Sequence, residues 1–173
     1  MEEQDLKSRK HILNYGLLAG LVGVVFGIML YTQGLHYEQS FGIQAVQFGI
    51  LAVFVIIGII QYKKANQGYL KIGQAIKIGA GIGALASVIG IIWFFVMSNV
   101  IEPDYMDKAM EIAKVNAFET NPKMTQEQWD QGVEFQKKFF PIFMAFGIVV
   151  SAIFGLIVGL ITGAIVKKSR LTY

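Results

Sequence analysis

Residues 141–166 read PIFMAFGIVVSAIFGLIVGLITGAIV, an apolar run without a single charged side chain. A helix needs about 20 apolar residues to cross a bilayer core roughly 30 Å thick, and this run is long enough. A charge at its centre would cost at least ~2.5–3.5 kcal/mol in that core, which accounts for the lack of charged residues. The stretch therefore predicts a transmembrane helix.

Three further apolar runs lie upstream, and their one charged side chain is Lys77 at the edge of the third span. The four predicted spans extend from about Ile12 to Tyr31, Gly42 to Tyr62, Ile76 to Ile101 and Pro141 to Val166. The first follows basic residues, as a signal peptide does, but it is longer than the roughly 7–15 residues of a signal core and no cleavage pattern follows it. We therefore expect an all-α fold, a transmembrane bundle of four helices, with residues 1–173 forming a single membrane domain.

The composition supports this class and limits the chemistry. Apolar residues make up 54% of the chain, and most of the 19 glycines lie inside the apolar runs, as is typical of membrane helices. The chain has no cysteine, which excludes disulfides and thiolate metal sites. The net charge of +3 could indicate a nucleic-acid partner. Because the basic residues mainly flank the spans, we instead expect no nucleic acid.

The basic residues also predict an orientation. Three flanking segments carry most of them: Lys7, Arg9 and Lys10; Lys63, Lys64 and Lys71; Lys167, Lys168 and Arg170. With four spans, all three segments fall on the same side of the membrane. Cytoplasmic flanks retain lysine and arginine, so both termini are predicted to be cytoplasmic. Lys137 and Lys138, next to the fourth span on the opposite side, are a minor exception.

The long link at residues 102–140 is predicted to be an extracytoplasmic segment with two short helices, one continuing the third span and one leading into the fourth. Pro103 suits a first helical turn, and Asn121-Pro122 indicates a break. Thr125 and Gln128 have the spacing of a capping box.

The same segment has two possible roles. It is either a cap that binds a partner or ligand, or a hairpin resting at the membrane surface. Aromatic residues are enriched at the headgroup level, which favours the surface hairpin. Its possible interfacial anchors are Trp129, Phe135, Phe139 and Phe140.

Small residues recur at helical spacing in three of the spans and predict close helix packing. They are Gly16, Gly20, Gly23 and Gly27 in the first span, Gly79, Gly83, Ser87 and Gly90 in the third, and Gly147, Ser151, Gly155, Gly159 and Gly163 in the fourth. Packing of these three spans within one bundle is the favoured interpretation. The alternative is that the fourth-span ladder faces outward and joins two copies.

No arrangement of residues indicates a reaction. Transporters and proton relays usually hold an ionisable residue deep in a span, and none is present here. Gln44 and Gln47, near one end of the second span, give only a weak signal for a polar vestibule. His36-Tyr37-Glu38 supplies too few ligands for a closed zinc site and lacks an adjacent nucleophile. We therefore expect no catalytic, cofactor-binding or metal site and no cofactor.

Several stretches carry a family resemblance: IIQYKK at residues 59–64, GYLKIGQAIKIG at 68–79, ASVIGIIW at 86–93, PDYMDK at 103–108 and GLIVGLI at 155–161. Together they resemble a family of uncharacterised bacterial four-span membrane proteins, domain of unknown function 4199 (DUF4199). The resemblance covers nearly the whole chain. It implies a protein of the bacterial inner membrane with this topology, and it implies no activity and no functional residues.

The expected function is that of a non-enzymatic membrane scaffold, accessory or partner-binding protein. Its expected partners are membrane lipid and either a protein partner or further copies of itself. The alternative is a small oligomeric transporter or channel for an uncharged solute, with its pathway between subunits.

Overall fold

The computed structural model describes residues 2–38 and 40–168, with the side chains of residues 2–6 left out. Arg170, one of the basic residues used for the orientation, lies outside this part of the chain. The described residues are overwhelmingly helical, with helices α1 (Glu2–Thr32), α2 (Phe41–Ala65), α3 (Ile72–Val96), α4 (Tyr105–Thr120) and α5 (Gln126–Val166), and a π-helical turn at Met97–Ile101.

Four of these stretches are long and apolar enough to cross a membrane. They are Lys7–Thr32, Phe41–Ala65, Ile72–Ile101 and Gln126–Val166. Large apolar side chains lie exposed on their outer surfaces, for example Val25 at 65% and Ile165 at 78% exposure. A water-soluble chain rarely exposes so much contiguous apolar surface, whereas lipid covers it at no cost. The predicted all-α, four-span bundle is confirmed, and the protein is a membrane protein.

The chain divides into two compact units, one containing the residues up to Gly90 and from Gly147 onward, the other Ile91–Phe146. The expectation that the chain forms a single membrane domain stays a prediction.

The core of the first unit lies between α1, α2 and α3. Its buried residues are Ala19 on α1, Leu51, Val55, Ile59 and Tyr62 on α2, Leu70 in the following turn, and Ala75, Ile78 and Ile82 on α3. On α2 and α3 these residues recur every three or four positions, so each helix presents one continuous stripe. Ser40 begins α2, because its hydroxyl accepts a hydrogen bond from the Ile43 amide at 3.3 Å.

One end of the first unit is closed by a short backbone pairing. The Leu70 amide donates to the Lys168 carbonyl at 2.9 Å, and the Lys168 amide donates back at 3.1 Å. Gln67 and Gly68 turn the chain into this position with φ angles of 57° and 81°. The glycine adopts such an angle without a steric penalty. The turn after α2 and the end of α5 therefore lie side by side.

The second unit differs from the prediction at the start of α4. A helix continuing directly from the third span was expected, with Pro103 in its first turn. The structure instead ends the π-helical turn at Glu102, which has φ −138° and ψ 82°, and begins α4 at Tyr105. The proline ring disfavours the helical conformation for the residue before it, and Glu102 is extended here, so Pro103 lies at a break before α4 and not in its first turn.

The start of α5 agrees with the prediction. The Thr125 amide donates to the Gln128 side-chain oxygen at 3.0 Å, and the Gln128 amide donates to the Thr125 hydroxyl at 3.2 Å. This reciprocal pair is the predicted capping box. From there α5 continues for 41 residues with Pro141 inside it. At 1.5 Å per residue its length is roughly 60 Å, about twice the thickness of a bilayer core.

Candidate functional site

A cavity of about 660 Å³ lies between α4 and the first part of α5, within the second unit. We call it the docking groove. Its lining residues are Met106, Asp107, Met110, Glu111 and Lys114 from α4, and Trp129, Asp130, Val133, Glu134, Gln136, Lys137 and Phe140 from α5. A volume of about 300–1,000 Å³ is typical of ligand and side-chain binding pockets.

The floor of the docking groove is apolar. Met106 and Met110 lie one helical turn apart on α4, as do Trp129 and Val133 on α5, so each pair shares a face of its helix. Phe140 extends the α5 face and packs against Phe94, with ring centroids 5.8 Å apart and ring planes tilted by 43°. Methionine adapts its shape to a partner, and tryptophan is enriched among the residues that dominate binding energy.

The walls of the docking groove are charged. Asp107 and Glu111 follow the two methionines along α4, and Asp130 and Glu134 follow the tryptophan and valine along α5. Both walls thus carry two carboxylates one turn apart, and Asp130 also accepts a hydrogen bond from Gln126 at 2.8 Å. Lys114 and Lys137 also line the cavity.

These charges have no ion-pair partner among the side chains that the structure describes. Across residues 7–38 and 40–168, none of the four groove carboxylates and neither groove lysine takes part in an ion pair. With four carboxylates and two ammonium groups, the docking groove has an excess of negative charge available to a partner.

Charged contacts hold the first turn of α4 in place beside the docking groove. The Lys108 ammonium lies 2.8 Å from Asp104 and 2.9 Å from Glu102. Hydrogen bonds to Asp104 and then to Glu102 raise the pKa of Lys108, so the lysine stays charged at any physiological pH. Burial, and secondly the Glu102 charge, raises the pKa of Tyr105, which therefore stays neutral. Tyr105 contacts Phe94 edge-on at 6.1 Å.

The four candidate interfacial aromatics lie on different faces of α5. Trp129 and Phe140 line the docking groove. Phe135 and Phe139 contact each other at 4.5 Å, and Phe135 is 56% exposed. Phe143 continues this second face, 6.3 Å from Phe135. Of these two faces, the one that carries Phe135 and Phe143 is the more exposed, and the anchoring role of the four aromatic residues stays a prediction.

In the first unit, the fourth-span ladder lies against α3. A Cβ atom built on Gly155 would collide with the Gly79 carbonyl oxygen, and one built on Gly79 would collide with the Gly155 carbonyl oxygen. A Cβ atom built on Gly83 would likewise collide with the Ser151 carbonyl oxygen. Added Cβ atoms on Gly159 and Gly163 would meet Ala75 at 2.6 and 2.7 Å. These backbones approach more closely than any side chain allows, so α3 occupies this face of α5 within one copy.

The glycines of α1 are less uniform. Added Cβ atoms on Gly16 and Gly20 would lie 2.8 Å from Leu85 and 2.5 Å from Ile89 on α3. Added Cβ atoms on Gly23, Gly90 and Gly147 would meet nothing within 4 Å. Gly27 lies on α1, and Ser87 lies half-buried on α3. Only part of each small-residue series therefore lies at a close helix contact.

The three basic segments meet at one end of the first unit. The Leu70–Lys168 pairing joins two of them, and the Lys168 ammonium lies 5.9 Å from the centre of the Tyr69 ring. The N-terminal segment joins them through His11, whose ring meets the buried Tyr62 ring edge-on at 5.6 Å.

His36, in the turn after α1, lies between the rings of Tyr31 and Tyr37. The described residues contain no group of three or more His, Asp or Glu side chains that could hold a metal ion.

The docking groove itself was not predicted. Residues 102–140 show helical spacing and charge in their sequence, but neither feature predicts that α4 and α5 face each other across a cavity. The available signal was the matched order of residues on the two helices, an apolar pair with a carboxylate pair one position later.

Comparison with known proteins gives a family and no activity. No curated protein and no solved structure matches the chain. A family described as protein of unknown function (DUF4199) matches residues 14–168, which include most of the first span, the other three spans in full and the docking groove. The match covers most of the 173 residues. The chain therefore belongs to the DUF4199 family of membrane proteins.

Proposed function

We propose that the protein is a non-enzymatic membrane scaffold or accessory subunit that binds a protein partner through the docking groove. The observation that carries this proposal is the groove itself, an apolar floor of Met, Trp, Val and Phe between two rows of carboxylates that form no ion pair among the described side chains. Buried aromatic anchors surrounded by polar groups are the usual anatomy of a protein interface.

The side chains of the groove suit binding better than catalysis. They offer carboxylates, ammonium groups and an amide, and the lining includes no Ser, Thr, Cys or His. The groove therefore lacks a hydroxyl, thiol or imidazole nucleophile. A carboxylate or amine nucleophile needs an activating partner in hydrogen-bond reach, and among the described side chains no ion pair joins a groove lysine to a groove carboxylate. The non-enzymatic proposal rests on this chemistry.

The proposal includes a location, the bacterial inner membrane with both termini cytoplasmic. The common position of the three basic segments at one end of the first unit supports this orientation, because cytoplasmic flanks retain lysine and arginine. In that orientation α4 and the start of α5 lie outside the cytoplasm.

Photo-crosslinking in the native membrane tests the proposal. A photoreactive amino acid replaces Val133 in the groove or, as the matched control, Val115, which is 52% exposed and does not line it. We expect the Val133 probe to give one crosslinked species of defined mass containing a second protein, and the Val115 probe to give none. Crosslinks only to lipid, or equal crosslinks from both positions, would overturn the proposal.

A transporter is the second candidate, and the second span carries the observation that favours it. Gln44 and Gln47 lie exposed on the surface of a single copy, in the first two turns of α2. Amides facing lipid lose their hydrogen bonds to water, so a second copy that covers them would lower that penalty and could line a polar path. Flux of an uncharged solute in proteoliposomes that disappears in Gln44→Leu/Gln47→Leu would support this candidate. Equal flux in the variant and wild type would exclude it.

A further inference from the structure

Building on the proposed function, we propose the chemistry of the partner. The docking groove binds an amphipathic helix of a partner protein, with an apolar stripe flanked by lysine or arginine residues. This inference depends on the existence of a protein partner, and it goes further by stating what that partner presents.

The floor determines the apolar part of the partner. Two helix faces, with Met110 on one and Val133 on the other, border a cavity of about 660 Å³ that is partly open to solvent. An amphipathic helix fills such a cavity by inserting residues spaced three and four apart. Methionines in the floor tolerate more than one apolar sequence, because their side chains repack around the inserted residues.

The walls determine the charged part. On an α-helix, residues four apart have Cβ atoms about 5–6 Å from each other. The Asp107–Glu111 pair and the Asp130–Glu134 pair therefore each present two carboxylates one helical turn apart. Cations one turn apart on each side of a bound helix match that spacing on both walls. Lys114 and Lys137 leave the balance negative.

The same charges disfavour other occupants. A second copy docked symmetrically would place its own groove against this one, and carboxylates would oppose carboxylates. The phosphate of an anionic phospholipid would meet the same repulsion. A cationic protein helix is thus the occupant that complements both the floor and the walls.

The test uses the full-length chain in nanodiscs of zwitterionic lipid and a fluorescent Leu/Lys peptide about 18 residues long, or five helical turns. Leucines in the peptide follow the spacing of one helix face. A twin peptide has glutamate at every lysine position, and a third has the Leu/Lys sequence scrambled. Binding is measured by fluorescence anisotropy, with empty nanodiscs as the blank.

The variants are Asp107→Asn/Glu111→Gln, Asp130→Asn/Glu134→Gln and the combination of all four. The matched control is Glu119→Gln/Glu127→Gln, which removes two charges from the same segment at positions outside the groove. Because these changes preserve side-chain shape, helix content by circular dichroism should not change. We expect each groove pair to weaken binding of the Leu/Lys peptide at least about threefold, and all four at least about tenfold. The control should bind as the wild type does.

Three results would overturn the inference: equal binding of the glutamate twin, an equal loss in the control variant, or no binding above the blank. If any of these results is obtained while the Val133 probe still crosslinks to one protein, the inferred partner chemistry is wrong and the proposed function stands. If the Val133 probe also gives no protein crosslink, both the partner chemistry and the proposed function are wrong. If a groove variant loses helix content, the test uses the wild-type protein at increasing salt concentration instead. An affinity for the Leu/Lys peptide that does not fall with salt would contradict the proposal.

Discussion

At the residue scale, the contact between α3 and α5 depends on side chains that are absent. Gly79 and Gly155 meet backbone to backbone, and a carbonyl oxygen fixed in a helix cannot rotate away from an added methyl group. Gly147 belongs to the same series in α5, yet it borders open space. The spacing of the series was visible in the sequence. Which members lie at a contact was not, because spacing defines a face of a helix and not the extent of its partner.

Replacing Gly155 with alanine should therefore destabilise the bundle. We expect a loss of about 1–3 kcal/mol in the free energy of unfolding, because the two helices must separate or distort. Gly147→Ala is the matched control and should be neutral or stabilising by up to about 1 kcal/mol, since alanine favours helix and meets no neighbour. Thermal unfolding in detergent, followed by circular dichroism, measures both. Equal midpoints for the two variants would show that the close contact does not exist.

Tyr62 allows a second residue-scale prediction. It is fully buried in the core of the first unit, and its hydroxyl has no hydrogen-bond partner among the side chains that the structure describes. Tyr62→Phe should leave the free energy of unfolding unchanged or raise it by up to about 1 kcal/mol, because an unpaired buried hydroxyl is unfavourable. Tyr62→Ala should cost about 3–5 kcal/mol through the cavity it leaves. A loss above about 1 kcal/mol in the phenylalanine variant would reveal a partner for the hydroxyl.

At the element scale, helix ends could be predicted where a single side chain determines them. The Thr125–Gln128 box and the end of α4 at Asn121 follow from local chemistry. The prediction for Pro103 was wrong because a proline both suits a first helical turn and disfavours helix at the residue before it, and here the second effect dominates. The way α4 and α5 face each other was beyond prediction, because helical periodicity does not identify the opposing element.

The capping box should control the first turn of α5. Thr125→Ala removes the oxygen that accepts the Gln128 amide, which costs about 0.5–2 kcal/mol. We expect backbone amides in residues 126–129 to exchange hydrogen with solvent several-fold faster, while amides in the middle of α5 are unaffected. Thr120→Ala, at the other side of the same connection, is the control. Unchanged exchange rates in Thr125→Ala would contradict the capping role.

At the scale of the whole molecule, four apolar runs determine the architecture, and hydropathy alone was sufficient to predict it. The orientation that we propose rests on the distribution of basic residues. Because the chain has no cysteine, single cysteines report on it without background. We expect Glu119→Cys to react with a membrane-impermeant maleimide in intact cells, and Lys64→Cys to react only after permeabilisation. The reverse pattern would invert the orientation, and reaction of both in intact cells would contradict the four-span topology.

The most direct test of the central claim, that the docking groove binds a protein partner, is the native mass of the assembly extracted from its own membrane in mild detergent. We expect the wild-type chain to appear in a complex with a second protein, and Met110→Asp/Val133→Asp, with charges on the groove floor, to appear without it. Val115→Asp, outside the groove, should retain the partner. A wild-type chain that appears alone or only with copies of itself, or a floor variant that keeps the partner, would contradict the account.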